Sequence, residues 1–305
     1  MKLSIVVLVV AVVAILGIVG FLALPMSVPT LELPMSVPTL ETVSITAADY
    51  SFAAPDSISG GLARFTLANN GKEEHHAQLI RLNEGVTFES FVSAAQAAIK
   101  ALPEKGEVAF LPILAMGTLE GGPASITPGG MTDAVMNLKA GQYILVCFLT
   151  GADGIPHAGK GMVRPLSVTA PTAQQPAAPE SKEKISLVDY AFAETPDLKA
   201  GKTLVQVINN GKEPHEAAII RLKGITAEQL QKILSTPPPP AGQAPPPGPP
   251  PFESAGGMQA ISPGERAWTT VDLKSGDYVY LCFVPSAKDG KPHVQLGMFK
   301  PFTVP

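Results

Sequence analysis

Three observations predict an all-β chain of two sandwich units in tandem behind an N-terminal transmembrane helix. From residue 45 onward the sequence is written twice, each copy is a string of short strand signals broken by Asn-Gly and Pro-Gly turns, and the first 24 residues are almost wholly apolar.

Residues 3–24 carry no charge and one polar side chain, Ser4. About 20 residues at 1.5 Å rise cross a hydrocarbon core of ~30 Å, so the run is long enough to span. A cleaved signal has a shorter apolar core of ~7–15 residues and a small-x-small end, whereas this run closes on Ala23-Leu24-Pro25. Residues 1–24 therefore read as an uncleaved anchor, with a cleaved signal as the alternative. Lys2 is the one flanking positive charge, which leaves the rest of the chain on the outer, periplasmic or extracellular face of a cytoplasmic membrane. Residues 25–41 form the next segment: LPMSVPTLE is repeated at 24–32 and 33–41, and two prolines per copy deny it a helix, so it reads as a semi-extended spacer.

The remaining composition excludes several function classes. Charged residues are 16% of the 305, against roughly a quarter in ordinary soluble proteins, and the mean hydropathy is +0.23. A net charge of −4 supplies no basic field for a nucleic-acid partner. Two Cys cannot build a disulfide scaffold or a Cys-rich zinc module.

Residues 45–82 align with 185–222 without a gap, and 16 of the 38 pairs are identical. Asp49-Tyr50-x-Phe52 recurs as Asp189-Tyr190-x-Phe192, and Asn69-Asn70-Gly71-Lys72-Glu73-x-His75 as Asn209-Asn210-Gly211-Lys212-Glu213-x-His215. The ends correspond too: Tyr143-x-x-x-Cys147-Phe148 with Tyr278-x-x-x-Cys282-Phe283, Pro156-His157 with Pro292-His293, and Gly161-Met162 with Gly297-Met298. This sets domains at 42–169 and 184–305, joined by a Pro-, Ala- and Gln-rich linker at 170–183. Residues 65–68, 143–148, 204–208 and 278–283 read as strands, and together with the turns they suggest an antiparallel sandwich or barrel. The copies differ mainly between the first His and the Pro-Gly turn. There the first has an amphipathic helix at 88–101 and an apolar stretch at 108–116. The second has a short helix opened by Thr226-x-x-Gln229, in capping-box form, and then a mostly Pro segment at 237–251 that reads as a solvated loop.

Each copy holds an early His, a Cys at a strand end, and a His and Met five residues apart: His75, Cys147, His157, Met162 and His215, Cys282, His293, Met298. A thiolate and two imidazoles in a plane with a weak axial thioether hold copper for electron transfer, because soft sulfur favours Cu(I) and imidazole accepts Cu(II). Singly, a strand-end Cys or a Met is most often core filling; the same four types in the same order twice is a site. Tyr143 and Tyr278 read as core residues, and Glu73 and Glu213 as solvated carboxylates that could tune a neighbouring His.

These motifs resemble the cupredoxins, the plastocyanin- and azurin-like type 1 blue-copper family, over about residues 43–168 and 185–304. The resemblance implies two Greek-key β-sandwiches, one copper in each, and ligand roles for the eight residues. It departs in one respect: nine residues separate Cys147 from His157 and ten separate Cys282 from His293, longer than in plastocyanin and closer to the type 1 site of copper nitrite reductases. Multicopper oxidases need roughly eight further His and two-domain nitrite reductases about three. Of five His only His76 is left over, so a catalytic copper is not expected and the chain does not read as an enzyme. The expected function is a membrane-anchored electron carrier using Cu(I)/Cu(II), with His157 and His293 as exits near the surface. Its partners would be redox proteins such as a cytochrome or terminal oxidase, met through small transient contacts. The alternative is a copper carrier, buffer or sensor without an electron-transfer role.

Overall fold

The computed structural model describes residues 39–171, 175–235 and 250–305. The anchor, almost all of the spacer and most of the Pro-rich stretch fall outside the described residues. Among the described ones no helix is long and apolar enough to cross a membrane.

The first repeat supplies β1 (Glu41–Ala48), β2 (Ser51–Ala53), β3 (Ser57–Ser59), β4 (Gly61–Asn69), β5 (Gln78–Leu82), helices α1 (Phe88–Lys105) and α2 (Leu111–Leu114), β6 (Gly117–Gly121), β7 (Met131–Leu138), β8 (Gly141–Val146) and β9 (Val163–Thr169). The second supplies β10 (Glu183–Val188), β11 (Ala191–Glu194), β12 (Gly201–Asn209), β13 (His215–Leu222), α3 (Ala227–Ser235), β14 (Phe252–Ile261), β15 (Arg266–Leu273), β16 (Gly276–Leu281) and β17 (Phe299–Val304). Mostly strand with a few helices, the described residues agree with the expected all-β class. The Asn-Asn-Gly strands β4 and β12 begin three or four residues earlier than their sequence signals, because Gly61 and Gly201 open them at positive φ.

Both sheets run through both repeats. One has the order β11-β10-β12-β15-β7-β4-β1-β2 and the other β17-β16-β13-β14-β6-β5-β8-β9-β3. The repeats meet where Trp268 of β15 pairs with Val135 of β7, and where Ile261 of β14 pairs with Glu120 of β6. Side chains reinforce this junction: Asp133 accepts from the Thr270 amide at 2.6 Å and hydroxyl at 3.1 Å and pairs with Arg64, while Gln78 donates to Ala260 O at 3.0 Å.

Strand alternation decides where the cysteines point. In β8, Tyr143 and Leu145, followed by Cys147, face the core between the sheets, while Ile144 and Val146 face the other way, under the α1 residues Phe91, Ala95 and Ala98. In β16, Tyr278, Tyr280 and then Cys282 face the core, and Val279 and Leu281 lie with Leu230 of α3. The helices thus explain why both strands are continuously apolar: each face is covered. Tyr143 and Tyr278 are buried as expected, and each hydroxyl donates 2.8 Å to the carbonyl four residues upstream, of Lys139 or Lys274.

The helix expected at 88–101 extends to Lys105. Pro103 sits in its last turn, where its missing N–H removes one bond without ending the helix, the Gly106 N–H still donating to Leu102 O, and a 3₁₀ segment, Gly106–Phe110, follows. Thr87 and Ser90 cap it reciprocally. The Thr226-x-x-Gln229 box caps α3 in the same way, at 2.8 and 3.3 Å.

Candidate metal centres

The Asn-Asn-Gly turn builds the first half of each centre. Asn69 Nδ2 donates to the carbonyls of Glu73 and Ile126 at 2.8 and 2.9 Å, and its Oδ1 accepts from the Gly71 N–H. Asn209 repeats this with Glu213, Ile261 and Gly211. The turn must be glycine: a Cβ at Gly71 would meet Asp49 Oδ1 at 2.4 Å and His75 Nε2 at 2.6 Å, and one at Gly211 would meet Asp189 and His215 at 2.5 and 2.7 Å.

The second half comes from the loop after β8 or β16. The Cys147 N–H donates to Met162 O, Met162 N–H to His157 O and Ala158 N–H to Cys147 O, and Cys282, Met298, His293 and Val294 repeat these bonds. Cys, loop His and Met are thus laced together through the backbone.

The donor atoms converge. In the first centre His75 Nδ1 lies 3.2 Å from His157 Nδ1, and Cys147 Sγ lies 3.5 Å from His157 Nδ1. In the second the distances are 2.9 Å between His215 and His293 and 3.5 Å from Cys282 to His293. In each trio one ligating atom per residue lies within 4.8 Å of the others, and all six residues are buried. The structure therefore gathers six of the eight expected ligands into two like groups. Met162 and Met298 are fully buried beside them, and both cysteines are free, with no disulfide between them.

The opposite ring nitrogens are all held by carboxylates. His75 Nε2 lies 3.3 Å from Asp49 and His157 Nε2 2.7 Å from Glu73; His215 Nε2 lies 3.1 Å from Asp189 and His293 Nε2 3.0 Å from Glu213. Such partners fix the tautomer with Nδ1 bare and raise its basicity as a ligand. They also correct one expectation. The loop histidines are not surface groups: His157 is 1% exposed and His293 fully buried, because Glu73 and Glu213 close over their outer nitrogens. Tyr50 and Tyr190, half-buried, stand T-shaped against these rings at 5.3 and 5.1 Å and donate to the same glutamates.

Electrostatics agree with a metal site. Burial lowers the pKa of His75, His215 and His293, so these rings are neutral at neutral pH and able to bind through nitrogen. Burial pushes the Cys147 thiol up to about 12, and burial together with the Glu216 carboxylate pushes Cys282 well above its ordinary value. A thiolate here requires a cation beside it. For Asp49 the amide of Lys72 leads in lowering the carboxyl, and for Asp189 the amides and the His215 ring outweigh a burial effect of opposite sign. Two imidazoles and a thiolate with a methionine alongside fit copper by donor softness.

The sequence alone gives Asp49 and Asp189 no role; Glu73 and Glu213, read as solvated carboxylates that could tune a neighbouring His, are part-buried and do stand against His157 and His293. The signal was present, since all four are identical between copies. Tyr50 and Tyr190 add a second sign: at φ 66° and 64° they are the described non-glycine residues with positive φ, a costly conformation kept at the same place twice.

No family model matches the chain, and no curated protein matches it. Among solved structures, dithionite-reduced auracyanin from the photosynthetic bacterium Roseiflexus castenholzii aligns at TM-score 0.29 and 16% identity, over 43% of this chain and 99% of its own. Auracyanin A, a "blue" copper protein from Chloroflexus aurantiacus, aligns at 0.28 and 15%, over 43% and 100%. A multicopper oxidase aligns at 0.24 and 12%, over 87% and 88%. The chemistry of the centres is defined here by their own donor atoms.

Proposed function

We propose that the chain is a two-centre copper protein that carries single electrons, held at the outer face of a cytoplasmic membrane by residues 3–24. Its two Greek-key cupredoxin domains, 42–169 and 184–305, would each hold one type 1 copper: His75, Cys147 and His157 with axial Met162, and His215, Cys282 and His293 with axial Met298. The observation that carries the reading is the twofold convergence of two Nδ1 atoms and a thiol, with both outer nitrogens tied to carboxylates. Bound copper would supply a one-electron couple; the protein holds the donors in one geometry for both oxidation states, which keeps rearrangement small.

Burial bears on how electrons would leave. With the loop imidazoles covered, the partly exposed groups over each centre are Tyr50 with Glu73 and Tyr190 with Glu213. A redox partner protein, such as a cytochrome or terminal oxidase, would dock over these pairs through a small, transient contact.

The test is copper titration followed by visible absorption and potentiometry. The expected result is two equivalents bound, an intense thiolate-to-copper band and reversible one-electron steps, with Cys147→Ser and Cys282→Ser each removing one equivalent. Colourless loaded protein sinks the type 1 assignment. Coloured protein without a reversible step supports the copper buffer instead.

A further inference from the structure

Between the repeats lies a cavity of about 380 Å³. Its walls are largely apolar, with Phe110 and Phe148 from the first repeat facing Phe252 and Phe283 from the second. Phe148 and Phe283 each directly follow a cysteine of the metal centres, so an occupant would rest against the chain of both.

Three lining side chains that are more than nine-tenths buried, Gln259, Glu216 and His76, have hydrogen-bonding capacity that no described residue fills. Gln259 is 4% exposed, and its side-chain amide has no partner among the described residues. Glu216, 7% exposed, accepts from the Phe283 N–H on Oε1 at 2.5 Å, which leaves Oε2 open. His76, 6% exposed, accepts from the Phe148 N–H on Nε2 at 2.8 Å, so its neutral ring carries the hydrogen on Nδ1, without an acceptor. Of the other polar groups lining the space, Gln78 Nε2 donates to backbone carbonyls and Glu74 accepts from Ser254, while Glu107, Ser125 and Thr150 line its less buried part. Among the described residues no Lys or Arg lines the space.

An apolar cavity with a few convergent polar groups that have hydrogen-bonding capacity to spare is the usual form of a small-molecule site. The polar set selects among ligands. An anion would face carboxylates with no cation to balance it. A cation would find carboxylates but, having no lone pair to offer, would leave the His76 Nδ1–H unfilled and set its charge against it. A hydrocarbon would leave all three groups unfilled. A neutral hydroxyl fits, because it can either donate to or accept from the Glu216 carboxyl, whichever form that takes, and accept from His76 or Gln259 while its ring lies among the phenylalanines.

We propose that this cavity between the repeats binds a neutral hydroxylated aromatic molecule, held by Glu216, Gln259 and His76 and stacked among Phe110, Phe148, Phe252 and Phe283. The site stands apart from the copper reading and is complete without metal.

The probe is 1-naphthol, titrated calorimetrically into the metal-free full chain, with naphthalene, 1-naphthoate and 1-naphthylmethylamine as comparators. The expected result is saturable one-to-one binding of 1-naphthol, at least about tenfold tighter than naphthalene, one lost hydrogen bond to a buried group being about 1.4 kcal/mol. Naphthoate should not bind measurably. Gln259→Leu should weaken 1-naphthol about tenfold and leave naphthalene unchanged. Ala218→Phe, which fills the space, should abolish both. Trp268 fluorescence reports whether each variant keeps the junction, and Glu216→Gln serves in place of one that does not. The proposal is overturned by naphthalene binding as tightly as 1-naphthol, by preference for the ammonium or the carboxylate, by no effect of the Gln259 and Glu216 changes, or by no saturable binding.

Discussion

Glu213→Gln isolates the charge of one outer carboxylate. Glu213 Oε1 accepts from the Tyr190 hydroxyl at 2.8 Å, while Oε2 accepts from the Ala287 N–H at 3.0 Å and lies 3.0 Å from His293 Nε2. A glutamine can keep its oxygen toward Ala287 and His293 and turn its amide to Tyr190, whose hydroxyl then donates to Ser286 Oγ, 3.2 Å away. The contacts survive and the negative charge does not. Losing the outer partner of a ligating histidine costs 10–100-fold in metal affinity, about 1.4–2.7 kcal/mol. The Glu213 side chain is 18% exposed, so solvent screens part of its effect and about tenfold is expected. The attraction scales with the charge on the metal, so Cu(II) loses more than Cu(I) and the potential rises. If the whole tenfold falls on Cu(II), the rise is about 59 mV for one electron. Spectroelectrochemistry in a Cys147→Ser background reads the second centre alone, and a competing chelator reads its affinity. A potential that stays put or falls, with affinity unchanged, refutes the idea that the carboxylate tunes the imidazole.

Three further outcomes follow from the packing. Phe91→Ala empties a fully buried position beneath α1 and should cost about 3–5 kcal/mol in denaturant unfolding, with little change in copper stoichiometry. Asp133→Ala removes the acceptor shared by Thr270 and Arg64 at the junction and should cost about 2–4 kcal/mol, seen by Trp268 fluorescence, a change below about 1 kcal/mol meaning that the junction does not rely on it. His76 is held by burial at about 3, well below the ordinary imidazole value of 6.5. Its neutral form is the one the fold accepts, so its contribution to metal-free stability is intact above pH 6.5 and is lost as pH falls from there toward 3, by on the order of 5 kcal/mol. His76→Gln, which can still accept the Phe148 N–H, should flatten that limb of the stability–pH curve relative to wild type.

Much of the centre was legible because ligand chemistry is local and was written twice. Cys147 follows a strand whose alternation fixes its face, and His157 and Met162 sit at fixed steps beyond it. The capping residues Thr226 and Gln229 and the buried tyrosines Tyr143 and Tyr278 were legible for the same reason: each bonds within four residues. What escaped was long-range. Glu73, expected to tune a nearby His, meets His157 across 84 positions and Asp49 meets His75 across 26, and no spacing rule says which ring each would reach; Asp49 is marked only by its identity in both copies. The burial of His157 and His293 depends on those partners, so it was missed with them. The cavity is less legible still, since His76 faces Glu216 and Gln259 from the other repeat, and position 76 breaks the internal repeat where its equivalent, 216, is glutamate.

The continuity of the two sheets has a consequence for the molecule's history and handling. Cut apart at the linker, each sandwich would be left with raw strand edges, β6 and β7 on one piece and β14 and β15 on the other. Bare edges of this kind recruit other strands. Joined, each repeat is the cap of the other. A severed half should therefore self-associate rather than persist as a monomer, and duplication, by providing the second half, also covered the edges that the first leaves bare.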